Sequence, residues 1–249
     1  MTLEKYRTAL VTGASTGIGA KLVERLTGAG LTVHAIARDA SRLDELAQRT
    51  GAIPHALDLG DTAALEELVP TLEVDVLANI AGVSRMGNVL DSSRDDIDAL
   101  VDINLAAVLH LVRLTLPGMV ERDRGHIVNI SSIAGHYNFF GHTAYHATKA
   151  AVHQLSRQIR NDVLGRRIRV TEISPGRVET EIFARNLGGS PEAIAEAHKT
   201  YFEGYESLTT DDVANSIEFA LRSPEHMNVG LIEIMPTYQV PGGLTFDRH

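Results

Sequence analysis

Short apolar runs alternate with helical patterns along nearly the whole chain, and this alternation limits the possible folds more than any other feature. A strand, a helix and a second strand in succession form a right-handed crossover, which makes the strands parallel and covers both faces of their sheet. We therefore predict an α/β fold: a single doubly wound, Rossmann-type parallel sheet with helices on both faces. The predicted strands span residues 9–11, 32–37, 53–57, 74–78, 127–131, 168–173 and 231–235.

Length and composition limit the number of domains and the classes of partner. The chain has 249 residues, 44% of them hydrophobic, which suits one sizeable core and a single domain over residues 1–249. Its net charge of −9 disfavours nucleic acid as a partner, and the absence of cysteine excludes disulfide and thiolate chemistry. The sequence shows neither a signal peptide nor a run of about 20 apolar residues. We therefore expect a soluble cytoplasmic protein that binds no membrane.

A glycine-rich turn, TGASTGIG over residues 12–19, follows the first predicted strand. Glycines allow the backbone to approach a pyrophosphate closely, and the helix that follows directs its free N–H groups at the anion. The alternative is a plain strand–helix turn that requires glycine. The position after the first strand favours a dinucleotide, with six candidate binding residues: Gly13, Ser15, Thr16, Gly17, Ile18 and Gly19.

The end of the second predicted strand bears on which dinucleotide is bound. Ala37 stands where an acidic residue would bind the ribose 2′-hydroxyl of NAD, and Arg38 follows it. Alanine removes the repulsion of a 2′-phosphate and arginine offers a planar donor, which indicates NADP(H). The alternative for Arg38 is an exposed arginine paired with Asp39. Asp58 is placed to meet the adenine, or alternatively caps a helix from Thr62.

Tyr145 and Lys149 are four residues apart, so they share one face of a predicted helix. A nearby ammonium favours the phenolate and lowers the tyrosine pKa, which makes the pair a plausible proton donor and acceptor. The alternative is a solvated helix face. A hydroxyl of Ser131 or Ser132, at the end of a predicted strand, can orient a carbonyl beside the phenol.

Asn104 lies on a predicted helix with apolar residues nearly all round. Such a helix is buried, so the amide must find hydrogen-bond partners inside the protein.

The order and spacing of several motifs resemble the short-chain dehydrogenase/reductase family over the whole chain. The motifs are residues 12–19, residues 79–82 (NIAG), Asn104, Ser132, Tyr145 with Lys149, and Pro175-Gly176. The residue at position 80 departs from the pattern, because Ile80 stands where the family often has a second asparagine.

The resemblance implies that Tyr145 is the general acid in reduction and the general base in oxidation. It further implies that Lys149 lowers the tyrosine pKa and binds the nicotinamide ribose, that Ser132 rather than Ser131 is catalytic, and that Asn104 supports a proton relay through water. NADP(H) is the implied cofactor. Beyond the glycine-rich turn, its implied contacts are Arg38, Asp58, Leu59, Asn79, Ala81, Gly82, Tyr145, Lys149, Pro175, Gly176, Val178 and Thr180.

Residues 208–214, 224–229 and 232–239, with residues 134–137 before the tyrosine, resemble one branch of the family. This branch is the bacterial NADP-dependent 3-hydroxy acid dehydrogenases, which includes enzymes acting on serine, allo-threonine and malonic semialdehyde. The resemblance implies a small 3-hydroxy acid or semialdehyde as substrate. His136, Arg185 and Arg248 are the candidate substrate residues, and Arg177 is a further cation. The alternatives are a sulfonate aldehyde, a sugar or polyol, another keto compound, or a non-enzymatic NADP-binding sensor. The presence of all four catalytic residues disfavours the sensor.

Two further expectations concern metals and assembly. Four histidines crowd the segment around Tyr145, but no carboxylate or cysteine partner is evident and the family needs no metal, so we expect none. The family is commonly tetrameric. We therefore predict a homotetramer in which a C-terminal tail, residues 236–249, packs at a subunit interface.

Overall fold

The computed structural model describes residues 3–182, 184 and 190–240. It contains a seven-stranded parallel sheet in the order β3-β2-β1-β4-β5-β6-β7. The predicted α/β fold is confirmed, and each predicted strand lies within two residues of its observed bounds. The strands are β1 (Thr8–Thr12), β2 (Thr32–Ala37), β3 (Ile53–Ala56), β4 (Val76–Asn79), β5 (Gly125–Ile130), β6 (Ile168–Pro175) and β7 (Leu231–Ile234).

Helices cover both faces of this sheet. They are α1 (Gly17–Gly28), α2 (Ala40–Thr50), α3 (Thr62–Leu68), α4 (Arg94–Val101), α5 (Ala107–Glu121), α6 (Thr143–Asp162), α7 (Pro191–Tyr201) and α8 (Thr210–Arg222). Alternate residues of β1 point to opposite sides, as the pleat of a strand requires. Ala9 and Val11 pack in a core with residues of α1, α2 and α8, whereas Leu10 packs with residues of α3, α5 and α6.

Helix α8 begins with two reciprocal capping hydrogen bonds. The Thr209 hydroxyl accepts a hydrogen bond from the Asp212 backbone N–H, and the Asp212 carboxylate accepts one from the Thr209 N–H. This reciprocal capping box satisfies two backbone donors at the start of the helix.

Helices α4 and α5 join through a π-helical turn, Asp102–Ala106, into one continuous helix, Arg94–Glu121. Its most apolar 18-residue window has a mean hydropathy of 1.7, so this helix is long and apolar enough to cross a membrane by length and composition alone. Core helices of globular proteins reach the same values, and α5 packs against the sheet through Leu111 and Met119. Val101 and Leu109 remain 41% and 45% exposed on its outer side.

The strand order fixes where a ligand can bind. From β1 the chain runs outward to β2 and β3 on one side, and later to β4, β5 and β6 on the other. The helices that leave β1 and β4 therefore diverge and open a crevice beyond the carboxyl ends of these two strands. The glycine-rich turn and the segment after β4 both lie at this edge.

Candidate active site

The glycine-rich turn brings backbone segments too close together for larger side chains. Gly13 has a φ of 65°, and a Cβ there would lie 2.8 Å from the Cα of Ala81. A Cβ on Gly19 would lie 2.3 Å from the carbonyl oxygen of Gly13. The Thr12 hydroxyl accepts hydrogen bonds from the backbone N–H groups of Ile80 and Ala81, both at 3.1 Å. The turn after β1 and the segment after β4 therefore form one rigid floor.

A groove of about 390 Å³ runs over this floor. Gly17, Ile18 and Gly19 of the first turn of α1 line the groove, so the positive end of the helix faces it, and this turn contains no acidic residue to offset the charge. These features fit a dinucleotide pyrophosphate. Twelve of the implied cofactor residues outside the catalytic pair line the groove: Gly13, Ser15, Thr16, Gly17, Ile18, Gly19, Arg38, Asp58, Leu59, Ala81, Gly82 and Thr180.

Asn79, another implied cofactor residue, lies below the groove rather than along it. Its amide Nδ2 donates a 2.8 Å hydrogen bond to Oδ1 of Asn129 on the neighbouring strand β5. The Asn79 Oδ1 atom is buried without a hydrogen-bond partner among the described residues.

One end of the groove is lined by Ala37, Arg38 and Asp58. The Arg38 guanidinium lies 3.9 Å from the Asp58 carboxylate and is largely exposed. Arg38 is therefore not paired with Asp39, which instead caps α2 and approaches Arg42. Asp58 does not cap α3 either, because Asp61 accepts the capping hydrogen bond there.

Arg42 lines the same end of the groove, and the sequence analysis did not single it out. Its Nη1 lies 2.8 Å from Oε2 of Glu181, an ion pair that raises the pKa of Arg42. A signal was present in the sequence, since Arg42 lies four residues after Arg38, in the first turn of α2. Two arginines therefore lie beside the place where a 2′-phosphate would sit.

A second cavity, of about 340 Å³, holds the proposed catalytic residues. Ser132, Tyr145 and Lys149 line it, and the Lys149 ammonium lies 5.7 Å from the centre of the Tyr145 ring. Lys149 is buried, and its Nζ donates a 3.0 Å hydrogen bond to the carbonyl oxygen of Ile130 at the end of β5. The cavity shares five lining residues with the groove: Ile18, Ile80, Gly82, Thr180 and Ile182.

Burial dominates the protonation of this cluster. It raises the pKa of Tyr145, while a hydrogen bond with the Ser132 hydroxyl acts in the opposite direction. Burial also lowers the pKa of Lys149 to about 8, against the attraction of Glu172. Helical spacing predicted that Lys149 lowers the pKa of Tyr145, but in this structure burial of the phenol has the larger effect and raises that pKa.

Asn104 is buried in the π-helical turn, as the sequence predicts. Its Oδ1 accepts a hydrogen bond from the Val83 N–H at 2.8 Å, and its Nδ2 donates to the Val83 carbonyl at 2.9 Å. Nδ2 also lies 3.3 Å from the Thr148 hydroxyl, next to Lys149. Asn104 therefore joins the segment after β4 to helix α6.

The end of β6 and the segment after it form the far wall of the catalytic cavity, through Pro175, Gly176, Val178 and Thr180. The Gly176 N–H donates to the Ile234 carbonyl at 2.7 Å, which ties this wall to β7. The sequence analysis missed Gln239, which also lines the cavity and whose Oε1 accepts a 2.8 Å hydrogen bond from the Arg177 N–H.

The candidate substrate residues have different locations. Arg177 lines the catalytic cavity, with its guanidinium 4.4 Å above the ring of Tyr205. His136 contacts Glu172, and the described residues that line the cavity do not include it. Arg185 and Arg248 lie outside the described residues.

Comparison with known proteins agrees with this geometry. Residues 7–188 match the family model described as short chain dehydrogenase. The chain belongs to the short-chain dehydrogenase family. It is therefore an oxidoreductase on a Rossmann-like fold.

Relatives in the short-chain dehydrogenase family match nearly the whole chain. An uncharacterized short-chain type dehydrogenase/reductase of Sinorhizobium fredii is 40% identical over 99% of this chain and 98% of its own length. The NADP-dependent 3-hydroxy acid dehydrogenase of Escherichia coli K12 is 36% identical over 96% of this chain and 98% of its own. The closed form of a serine dehydrogenase complexed with NADP⁺ superposes with a TM-score of 0.92 at 36% identity, covering 97% of this chain and 100% of that one.

Proposed function

We propose that this short-chain dehydrogenase is an NADP(H)-dependent enzyme that interconverts a small 3-hydroxy acid and the corresponding carbonyl compound. The observation that carries the proposal is the continuity of the two cavities. Ser132, Tyr145 and Lys149 line a pocket that shares a wall with the dinucleotide groove, so a carbonyl beside the phenol lies next to the nicotinamide end of that groove.

The cofactor, when bound, supplies or accepts the hydride at the carbonyl carbon. Tyr145 donates its phenolic proton to the carbonyl oxygen in reduction and accepts it again in oxidation. Ser132 holds the carbonyl oxygen beside the phenol through its hydroxyl. Lys149 stabilises the phenolate that forms and binds the nicotinamide ribose. Asn104 fixes the segment after β4 against α6 and supports the relay that returns the proton from solvent.

At the other end of the groove, Arg38 and Arg42 hold the 2′-phosphate. A guanidinium binds phosphate through planar, charge-assisted hydrogen bonds, and Ala37 offers no carboxylate to repel it. Relatives support this assignment, since the serine dehydrogenase neighbour was solved with NADP⁺ and a short-chain dehydrogenase from Sphingobium yanoikuyae with NADPH.

We propose an acid as the substrate because relatives are named as a 3-hydroxy acid dehydrogenase and a serine dehydrogenase. Binding an acid requires a cation near the pocket. Burial lowers the pKa of His142, so this cavity-lining histidine is neutral at pH 7 and attracts no carboxylate by charge. Arg177 lines the cavity, and Arg185 and Arg248 are the further candidates. A small sulfonate aldehyde requires the same cation, whereas a sugar or polyol does not.

A screen of NADPH consumption tests the proposed substrate class. The panel contains small aldehyde acids and keto acids, sulfonate aldehydes, neutral aldehydes and sugars. We expect the highest kcat/KM with a semialdehyde acid. A sugar or neutral aldehyde as the best substrate would contradict the acid, and cofactor binding without turnover of any compound would favour a sensor.

We further propose a cytoplasmic homotetramer built from a single domain, residues 1–249. The exposed apolar side of the helix Arg94–Glu121 offers an interface. The tail, residues 236–249, is proposed to reach a neighbouring subunit; residues 241–249 lie outside the described residues. Sedimentation should give a tetramer, and deletion of residues 243–249 should raise KM for an acid more than for a neutral aldehyde. A monomer, or unchanged kinetics on acids, would contradict this arrangement.

A further inference from the structure

A buried carboxylate on β6 lies between two histidines, outside the catalytic cavity. Glu172 is 1% exposed, and its Oε2 lies 2.7 Å from Nδ1 of His153 on α6. Its Oε1 lies 3.2 Å from Nε2 of His136, in the turn that follows β5. The two imidazole rings meet edge to face, with their centres 4.2 Å apart.

The fold brings these residues together from distant parts of the sequence. His153 lies four residues beyond Lys149 and eight beyond Tyr145, so it continues the polar face of α6 away from the catalytic cavity. Glu172 lies on the strand next to β5, with Asn129 as its register partner. The Ser131 hydroxyl donates a further hydrogen bond to Oε1 and fixes the position of the carboxylate.

The sequence analysis found four histidines here and no carboxylate partner; the structure supplies the carboxylate. One ligand atom from each of His136, His153 and Glu172 lies within 4.8 Å of the other two. Two imidazole nitrogens and one carboxylate oxygen form a common protein ligand set for Zn²⁺, at about 2.0–2.2 Å from the ion. The side chains of His136 and His153 remain 16% and 22% exposed, which leaves a route for the ion and room for water as a fourth ligand.

We propose that His136, His153 and Glu172 bind one divalent transition-metal ion of the Zn²⁺ type. The ion takes the place of the direct hydrogen bonds between the carboxylate and the two rings. It ties together β6, α6 and the turn after β5, and this turn begins at Ser132, so the site supports the catalytic loop. It takes no part in hydride transfer.

The competing explanation is a buried glutamate satisfied by two histidine N–H donors, with no affinity for metal. Both explanations use the same atoms, so a binding measurement has to separate them. The full-length protein is stripped with a chelator, and binding of Zn²⁺ is measured by calorimetry. Co²⁺ is added in parallel, because its absorption spectrum reports the coordination geometry.

We expect one ion per chain, a Co²⁺ spectrum of low coordination number and a higher Tm with Zn²⁺. His153→Gln and Glu172→Gln should each weaken binding by at least roughly tenfold. His136→Asn changes a partly exposed position and keeps the test valid if Glu172→Gln fails to fold. NADPH binding by each variant reports its fold.

Two control variants distinguish this site from nonspecific binding of Zn²⁺ by other histidines. His110→Gln removes a histidine of α5, and His34→Gln breaks the pair in which His34 Nδ1 lies 2.9 Å from His55 Nε2. Both controls should bind Zn²⁺ like the parent chain. No binding by the parent chain, equal binding after His153→Gln, or equal losses in the controls would overturn the proposal.

Discussion

Nη1 of Arg42 on α2 lies 2.8 Å from Oε2 of Glu181, which follows β6, and this ion pair lies along the wall of the dinucleotide groove. Arg42 thus has a carboxylate partner on the segment after β6. A 2′-phosphate that binds at Arg38 and Arg42, as proposed, would meet an arginine that Glu181 already holds, so the ion pair links the cofactor site to the position of the segment after Thr180.

Cofactor preference is the first prediction. Catalytic efficiency with NADPH should exceed that with NADH, because Ala37 stands where an acidic residue would bind the ribose and two arginines lie beside it. Arg38→Ala and Arg42→Ala should each reduce the preference by roughly ten- to hundredfold, the loss expected for one charged hydrogen bond. Arg49→Ala is the matched control, since Arg49 is on α2 but pairs with Glu24. Steady-state kinetics with both cofactors measure this, and equal use of NADH by the parent enzyme would refute it.

The second prediction concerns the proton donor. Tyr145→Phe keeps the ring and removes the hydroxyl, so NADPH binding should survive while turnover falls by at least roughly 10²–10⁴-fold. Tyr137→Phe provides a control, because its hydroxyl contacts Glu233, at 3.3 Å. Turnover is measured under saturating NADPH, with binding followed by cofactor fluorescence. Near-normal turnover by Tyr145→Phe is incompatible with the mechanism.

The third prediction is a pH dependence. Reduction requires a protonated phenol, and burial raises the pKa of Tyr145, so the phenol keeps its proton through neutral pH. Lys149 has its pKa lowered to about 8 and loses its charge above that pH. The kcat/KM for reduction should therefore be level at neutral pH and fall above about pH 8.

Lys149→Arg keeps a positive charge, so its residual activity should lack this fall. A parent profile that stays level well beyond pH 8 would contradict the assignment to Lys149.

The fourth prediction concerns the glycine-rich turn. A Cβ at Gly19 would lie 2.3 Å from a backbone carbonyl oxygen, which has no freedom to move aside. Gly19→Ala should therefore weaken NADPH binding by at least roughly tenfold, because the turn has to open. Gly28→Ala, at the other end of α1, meets no described atom within 4 Å and should bind NADPH normally. If Gly19→Ala and the parent chain bind NADPH with equal affinity in a fluorescence titration, the close approach at Gly19 is not needed for cofactor binding.

The sequence predicted the sheet well because each strand is a short apolar run bounded by turn residues, a local property of the chain. It also placed Tyr145 and Lys149 on one helix face, since their relation depends only on helical spacing. Local patterns of this kind do not predict contacts between segments that are distant in the sequence. Arg42 and Glu181 are 139 positions apart, and Glu172 lies 36 positions from His136. Only the packing of α2, α6 and the loops against the sheet brings them together.

The pKa of Tyr145 shows a second limit of prediction from the sequence. The spacing of charges along α6 predicted a lowered tyrosine pKa, because Lys149 was the only neighbour that helical spacing identifies. Desolvation depends on everything packed around the phenol, and in this structure it raises the pKa of Tyr145 instead.

The π-helical turn at Asp102–Ala106 has a consequence for how this chain tolerates length changes. Each N–H in such a turn reaches back five residues rather than four, so the turn holds one residue more than an α-helix of the same extent. Deleting one residue there would restore regular α-helical bonding and leave α4 and α5 close to their present orientation, because the π-turn already accommodates the extra residue. The core contacts of Leu111 and Met119 would survive, whereas Asn104, which lies inside the turn, would change direction and lose its hydrogen bonds to Val83. A deletion at this point should therefore keep the fold and remove the link that Asn104 makes between the segment after β4 and helix α6.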